Sequence, residues 1–268
     1  MQFYSIFLTA ADNSHIGRVD KASLSTQTLM EIFISGIENK EVICGSAEEP
    51  EDIDQWTGFS YSQEQPADAA EKHLNINWYK RHLVGTIDLQ WLPTTIFSVT
   101  IYDSKLSGSL NLAVLAPSIR FLNLGGNDFS GEIDLHHMPA EIEEITLSDN
   151  QLTGSLNLEE LARSIQALYL RKNHFSGTVC LRHLPPSIVE LSISENELSG
   201  SVNLTRLPVT LKFLCLHRNN FGGRTDFSRL PKDLNVLNIS CTNLAGEISV
   251  RNRTTRFLVG HSNVELVE

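Results

Sequence analysis

Two residues of the sequence, Cys215 and His217, are of types that together can form a reactive thiol. They lie two positions apart in a stretch of alternating apolar and polar residues, so both side chains would face the same side of a strand. A nearby imidazole can stabilise a thiolate and activate it as a nucleophile. The sequence shows no third orienting group, oxyanion hole or pocket, so we predict a chance exposed pair and no enzymatic activity.

Three histidines, His136, His137 and His183, are the next residues that could support chemistry, as metal ligands. His137 and His183 occupy equivalent positions of a 23-residue repeat, but in units that are two steps apart. Parallel-strand spacing separates such positions by about 10 Å, which is too far for one ion to bridge. The glycines follow the repeat and do not form a phosphate-binding loop. We therefore predict neither a metal site nor a cofactor.

The elements that position these residues follow from the 23-residue period, which is marked by glycine. Each unit begins with Leu or Ile alternating with polar residues, as at Leu122 and Leu124, which is the pattern of a strand with one buried face. Because this stretch recurs at a constant interval, neighbouring strands must run parallel and form one long sheet on a curved rod. The glycines are Gly85, Gly108, Gly131, Gly154, Gly177, Gly200, Gly223 and Gly246.

An asparagine follows the predicted strand in five consecutive units. Its amide can donate to and accept from backbone groups buried in a sharp turn, so we predict that these asparagines link adjacent repeats. An apolar pair after each glycine indicates a short second strand. The segment that leads from there back to the next strand carries Leu-Pro, as at Leu184-Pro185. Proline cannot lie inside a helix, so this pair predicts turns and not full helices on the outer face. The asparagines are Asn127, Asn150, Asn173, Asn196 and Asn219.

The residues that alternate with the buried leucines point away from the core, so core packing does not explain their identity. Tyrosine and arginine, which are enriched at binding hot spots, occur at four of these positions. Isolated aromatic residues are also common on sheet surfaces without any function. The outward residues that we single out as candidates for partner binding are Tyr79, Tyr102, Phe121, Asn123, Thr146, Tyr169, Arg171, Phe213, Cys215 and His217.

The segments 150–156 (NQLTGSL) and 196–202 (NELSGSV) resemble the plant-type leucine-rich repeat, and the 23-residue length with its Leu-Pro return is more similar to protist relatives. The resemblance covers roughly residues 73–250. It implies an α/β solenoid, rich in β-structure, with one long parallel sheet on the concave face, a turn-rich convex face and a helical N-terminal cap. It also implies a non-enzymatic interaction module that binds a protein or peptide partner on the concave face.

The resemblance divides the chain into three parts. Residues 1–72 are expected to form the N-terminal cap, residues 73–250 about eight repeats, and residues 251–268 a degenerate C-terminal repeat. The segment 56–60 (WTGFS) is similar to a cap motif that usually ends in cysteine, and Ser60 replaces that cysteine here. We therefore expect Trp56 and Trp78 to cover the open end of the rod by apolar packing and not by a disulfide.

The net charge of −11 is concentrated in residues 1–72, which hold 4 basic and 13 acidic side chains. No basic stripe occurs, so nucleic acid is not an expected partner, and no apolar run approaches the roughly 18 residues of a membrane helix. We expect a monomer and favour a cytoplasmic location. The alternative is a ligand-sensing ectodomain of a secreted or cell-surface receptor, which glycans at the sequons of Asn203, Asn238 and Asn252 would favour.

Overall fold

The computed structural model describes residues 20–62, 72–251 and 254–268, which form a curved solenoid. In these ranges the concave face is one sheet of ten strands that follow one another in chain order. The first strand pairs antiparallel with the second, and every later strand pairs parallel with its predecessor. The predicted parallel sheet is confirmed. Its strands are Phe59–Tyr61, Leu74–Asn77, Ile96–Thr100, Phe121–Asn123, Glu144–Thr146, Ala167–Tyr169, Glu190–Ser192, Phe213–Cys215, Val236–Asn238 and Arg256–Leu258.

A second strand follows each turn, and these strands form two smaller parallel sheets. Most of them end no later than one residue after the glycine, before the apolar pair at which the sequence pattern predicts the second strand. The glycine column lies here with positive φ at all eight positions, for example 87° at Gly154. A β-carbon at Gly154 would be strained by that φ and would lie 2.7 Å from Cγ of Glu132, so the turn itself requires glycine. The second strands are Val84–Thr86, Lys105–Gly108, Asp128–Glu132, Gln151–Thr153, Ser176–Gly177, Glu197–Gly200, Asn220–Arg224, Asn243–Ser249 and Asn263–Val267.

The return segments, which join each second strand to the next concave strand, consist of turns, as the Leu-Pro pairs predict. Short 3-10 helices occur in two of them, at Leu89–Trp91 and Leu112–Val114. Most returns begin with an Asp or Asn whose side chain accepts a hydrogen bond from the backbone two residues later. Asn157, for example, accepts from the Glu159 amide at 3.1 Å. This local turn satisfies a backbone donor without a helix.

The core is a continuous apolar stack that runs the length of the solenoid. Phe129, Phe175 and Phe221 are fully buried in it and alternate, repeat by repeat, with the equally buried Leu152 and Leu198. The core therefore consists of layers in which a large and a smaller side chain alternate. No layer buries its apolar residues without its neighbours, so stability depends on contacts between repeats.

The asparagine column forms a hydrogen-bonded ladder between repeats. Asn173 Oδ1 accepts from the Leu152 amide at 3.0 Å, and its Nδ2 donates to the carbonyls of Leu147 at 3.0 Å and Leu170 at 3.2 Å. Leu147 and Leu152 belong to the preceding repeat, so one side chain ties two repeats together. Equivalent bonds are made by Asn127, Asn150, Asn196 and Asn219.

The N-terminal end is covered by short helices. Ser25 accepts a hydrogen bond from the Thr28 amide at 3.1 Å and so begins the helix α1, which buries Leu29, Met30 and Phe33 against the first repeats. Within the described ranges, no helix is long and apolar enough to cross a membrane. The helices are α1 (Thr26–Phe33), α2 (Glu41–Cys44) and the 3-10 helices Lys21–Ser23 and Ile53–Gln55.

Trp56 and Trp78 are buried at this end of the core. Their indole N–H groups donate to the carbonyls of Glu51 at 2.7 Å and Thr57 at 2.8 Å. Hydrogen bonding of this kind lets a large ring be buried without leaving its polar atom unpaired. All four cysteines lie in the described residues, and none of them forms a disulfide. The cap is therefore held by packing and hydrogen bonds.

Candidate functional site

The ten candidate binding residues lie on the concave strands or in the turns directly after them. The strand register places them in columns: Tyr169 is the lateral neighbour of Thr146 and Ser192, and Cys215 is the next neighbour of Ser192. They do not form one patch. Three of the five aromatic candidates, Tyr79, Tyr102 and Phe121, lie in the N-terminal half of the sheet, and a charged cluster lies in its C-terminal half.

Tyr79 and Tyr102 form an aromatic shelf at the N-terminal end. Their rings are stacked with centroids 5.4 Å apart and an interplanar angle of 7°, and Tyr79 is 51% exposed. A β-carbon on Gly125, the next residue of the column, would lie 3.2 Å from the Tyr102 ring. The ring therefore lies over a position that has no side chain. Lys80 Nζ lies over the Tyr79 ring, 5.2 Å from its centroid, so the shelf combines accessible apolar area with a positive charge at its edge.

A second aromatic row lies at the starts of the strands. Phe97 stacks on His73 at 5.4 Å and meets Phe121 edge to face at 5.6 Å. Sequence reasoning identified Phe121 but missed Phe97. The reason is an irregularity in the register between Leu74 and Asn75, which leaves Phe97 as an extra residue outside the alternating pattern.

Between the two ends, a small residue leaves a gap between two carboxylates. Ala167 is the lateral neighbour of Glu144 on one side and Glu190 on the other. Strand spacing separates the two acidic residues by about 10 Å, with only a methyl group between them. The resulting cavity of about 200 Å³ is lined by Phe121, Glu143, Glu144, Gln166, Ala167, Tyr169, Val189 and Glu190.

Hydrogen bonds hold the side chains that line the space between Glu144 and Glu190, which we call the acidic gap. The Tyr169 hydroxyl donates to Glu190, and burial together with this bond raises the pKa of Tyr169, so the phenol stays neutral. Gln166 donates to Glu143 at 3.0 Å. Tyr169 thus acts as a positioning residue for an acidic wall, and its hydroxyl is already engaged within the chain.

Arg171 belongs to a charged cluster that is centred on Glu195. Its Nε donates to Glu195 Oε1 at 2.6 Å, and Arg218 Nη1 lies 3.4 Å from Oε2 of the same carboxylate. Burial alone would raise the pKa of Glu195, but the Arg171 bond and the two guanidinium charges hold it below its ordinary value. The carboxylate is therefore ionised, and Arg171 already has a partner within the chain.

The Cys215 and His217 pair does not have the electrostatics of an activated thiol. Burial raises the pKa of Cys215, and the Glu190 carboxylate raises it further. Burial lowers the pKa of His217, whose Nδ1 is buried without a hydrogen-bond partner. Both effects favour neutral side chains, whereas a reactive pair needs a thiolate beside an imidazolium. The arrangement supports a non-catalytic role.

One group of His, Cys and carboxylate side chains among the described residues is close enough to hold a metal ion. It consists of Glu159, Cys180 and His183 and lies on the return segments, away from the concave sheet. Sequence reasoning rejected His137 with His183 because they lie two repeats apart. It did not consider the carboxylate of the intervening repeat, and this omission is why the group was missed.

No protein-family profile and no curated protein sequence matches the chain. Among solved structures, the chain is similar to the LRR ectodomain of the plant membrane receptor kinase GASSHO1/SCHENGEN3 from Arabidopsis thaliana, in complex with CASPARIAN STRIP INTEGRITY FACTOR 2. The TM-score is 0.67, with 19% identity over 89% of this chain and 30% of that ectodomain. The PEPR1–AtPEP1 structure gives a TM-score of 0.62 at 20% identity, over 83% of this chain and 32% of that one.

YopM from Yersinia enterocolitica is also similar, with a TM-score of 0.54 at 22% identity over 71% of this chain and 38% of that chain. The chain therefore spans about a third of the length of these three structures. Structural similarity at sequence identities this low is evidence about the backbone fold alone. That architecture agrees with the glycine period and with the ladder of buried asparagines. The chain has the leucine-rich repeat fold.

Proposed function

We propose that the chain is a non-enzymatic interaction module whose concave face binds an extended segment of a protein or peptide partner. The observation that carries this proposal is the acidic gap over Ala167. Two half-buried carboxylates, Glu144 and Glu190, face each other across a methyl group. A cationic side chain of the partner would fill the gap, hydrogen-bond one carboxylate and be attracted by the charge of the other.

The charge around the gap supports a basic ligand group. No Lys or Arg contributes to the lining. Among the described residues, the nearest basic contact is that of Arg120 Nε with Glu143, at 3.8 Å on the rim, and no ion pair within 4 Å involves Glu144 or Glu190. Both carboxylates are half-buried and, within the described part of the chain, have no cation within 4 Å, so an incoming Lys or Arg would not have to displace a basic residue there.

The aromatic shelf supplies a second anchor at a defined distance. Tyr102 lies three strands away from Ala167, and its column is four residues further along the strands. The diagonal distance across the sheet is therefore roughly 20 Å, which about six extended residues span. The preferred partner segment therefore has an aromatic or apolar residue about six positions from a Lys or Arg. An exposed tyrosine pair of this kind is a typical binding hot spot.

The structural likenesses support this kind of partner. The GASSHO1/SCHENGEN3 ectodomain is in complex with CASPARIAN STRIP INTEGRITY FACTOR 2, and the PEPR1 structure contains AtPEP1. Each is a leucine-rich repeat neighbour by fold with a bound partner. The inference for this chain still rests on its own concave residues, because the identities are 19% and 20%.

A receptor ectodomain, secreted or on the cell surface, is the second candidate. This candidate is supported by the structural similarity, in which 89% of this chain aligns with 30% of a receptor ectodomain. Asn203 of one sequon is exposed on a return segment, whereas Asn252 lies outside the described residues. Expression through a secretory pathway would distinguish the two: a glycan that is lost in Asn203→Gln supports the ectodomain, and retention of an unmodified chain in the cell contradicts it.

A display selection tests the main proposal. Random linear peptides are selected on the wild-type chain, and the enriched peptides are titrated by calorimetry against wild type and the Glu144→Gln/Glu190→Gln variant. We expect enriched peptides to carry Lys or Arg and to bind the variant at least about tenfold more weakly. Glu197→Gln/Glu265→Gln, which changes two exposed carboxylates away from the gap, is the charge-matched control. Peptides that lack a cation, or that bind all three chains equally, would contradict the proposal.

A further inference from the structure

The outer face of the solenoid brings together three side chains of different metal-ligand types. Glu159 comes from one return segment, and Cys180 and His183 come from the next. One ligand atom from each lies within 4.8 Å of the other two. His183 Nδ1 lies 2.5 Å from Glu159 Oε1, and the Cys180 thiol also hydrogen-bonds to that carboxyl group. All three groups therefore converge on one point in space.

Thiolate, imidazole and carboxylate are the three ligand types that zinc takes from proteins, and open zinc sites use three of them with water at the fourth position. Tetrahedral coordination at the usual Zn–S, Zn–N and Zn–O lengths requires ligand atoms roughly 3.3–3.6 Å apart. Glu159 and His183 would separate by somewhat less than 1 Å, and the thiol would close in by about 1 Å at most. Glu159 and His183 are exposed, so these rotations meet little resistance.

The backbone beneath the three groups is rigid. Leu158 precedes Glu159, Leu181 follows Cys180, and Leu184 follows His183, and all three leucines are buried in the core. The site is thus carried by two adjacent repeats whose relative position the core fixes. Because the backbone already holds the three ligands near one another, less conformational entropy is lost when a metal ion binds.

Cys180 also departs from the residue types that most of its column holds. In six other repeats this position holds Asp or Asn, and its side chain accepts a hydrogen bond from the amide two residues later. Cysteine is a weak acceptor and does not replace this turn. Cysteine therefore stabilises this turn less than Asp or Asn does, but its thiolate is a good zinc ligand. The six turn-forming residues are Asp88, Asn111, Asp134, Asn157, Asn203 and Asp226.

We propose that Glu159, Cys180 and His183 bind one Zn²⁺ ion, with water in the fourth position. Binding releases the thiol proton to solvent, and the imidazole binds in its neutral form. The thiolate and the carboxylate then balance the charge of the ion. Arg182 lies beside the carboxylate, and its positive charge weakens the site to some extent. The site is separate from the concave face and from the partner proposed for it.

Cobalt and zinc titrations of the reduced full chain test this site. Co²⁺ bound by a thiolate gives a charge-transfer band in the near ultraviolet, and Zn²⁺ binding is measured by calorimetry. We expect one ion per chain, a cobalt band in wild type, and a thermal midpoint that rises with Zn²⁺. Glu159→Gln and His183→Gln should each weaken Zn²⁺ binding at least about tenfold.

Cys180→Asn is the decisive variant, because it restores the residue type that the column uses elsewhere. It should keep or raise the thermal midpoint without metal, and it should lose both the cobalt band and the response to Zn²⁺. A loss of metal binding through misfolding is thereby excluded.

Cys241→Ser removes an exposed thiol, and His174→Gln removes a histidine that pairs with Glu197 at 3.2 Å but has no thiol nearby. Both controls should bind like wild type. The proposal is overturned if wild type shows no cobalt band, if Cys180→Asn retains it, or if His183→Gln binds Zn²⁺ with unchanged affinity.

Discussion

The asparagine ladder makes the sharpest prediction about stability, and Asn173→Ala is the change that tests it. The substitution removes the acceptor of the buried Leu152 amide and the donor to the carbonyls of Leu147 and Leu170. The carbonyls keep another donor, because Asn150 also bonds to Leu147 and Asn196 also bonds to Leu170. The Leu152 amide is therefore the one group left without this partner.

The expected loss follows from this count. One buried donor without a partner costs about 1–3 kcal/mol, and each lost bond to a carbonyl that keeps another donor costs about 0.5 kcal/mol. The free energy of unfolding should therefore fall by about 2–4 kcal/mol. Asn150→Ala/Asn173→Ala should lose more than the sum of the single changes, because the Leu147 carbonyl then loses both donors.

Urea unfolding followed by far-ultraviolet circular dichroism gives the free energies, and amide hydrogen exchange reports on Leu152 directly. Asn157→Ala is the control, since that asparagine is exposed and its side-chain hydrogen bonds are local, with the Glu159 amide at 3.1 Å and the Glu160 carboxylate at 3.5 Å. It should cost about 1 kcal/mol or less. If Asn173→Ala costs no more than the control and the Leu152 amide keeps its protection, the ladder does not join the repeats in the way described.

Three further changes probe the core, the aromatic shelf and the concave charges. Phe175→Ala should lower the free energy of unfolding by about 3–5 kcal/mol in urea, because it empties a fully buried ring site. Gly125→Ala should displace the Tyr102 ring and weaken binding of the selected peptides in calorimetry. The thermal midpoint should fall as well, because the added β-carbon would also lie 3.1 Å from the Ser148 carbonyl oxygen. Burial lowers the pKa of His217, so the wild-type free energy of unfolding should decrease as the pH falls through the ordinary histidine pKa of 6.5. His217→Gln should lack that part of the decrease in urea titrations at successive pH values.

The fold could be predicted from the sequence because each repeat column has one local cause. Gly154 is required by a positive φ, Asn173 by buried backbone groups in a turn, and Leu122 by the inner face of a strand. These causes act within one repeat or between adjacent repeats. The role of each column could therefore be assigned from the 23-residue period alone.

The candidate site could be predicted less well from the sequence, because its features depend on which residues are neighbours on adjacent strands. Ala167 is an ordinary residue in the sequence, and only the register shows that it separates Glu144 from Glu190. Phe97 lies at an irregularity that no alternating pattern predicts. Tyr169 and Arg171 were singled out for their residue types, but both are bonded to carboxylates of the chain itself.

The central claim is that the gap over Ala167 admits a cationic side chain of a partner. Its most direct test is the affinity of a selected peptide for Ala167→Leu, which fills the gap from the concave side of the sheet. Ala167 is buried between its neighbours but lies outside the main apolar core, so the core packing is not directly altered. The peptide should bind this variant at least about tenfold more weakly than wild type, and replacing its basic residue by Gln should then cause no further loss. Equal affinity for wild type and Ala167→Leu, at equal thermal midpoints, would show that the partner binds elsewhere.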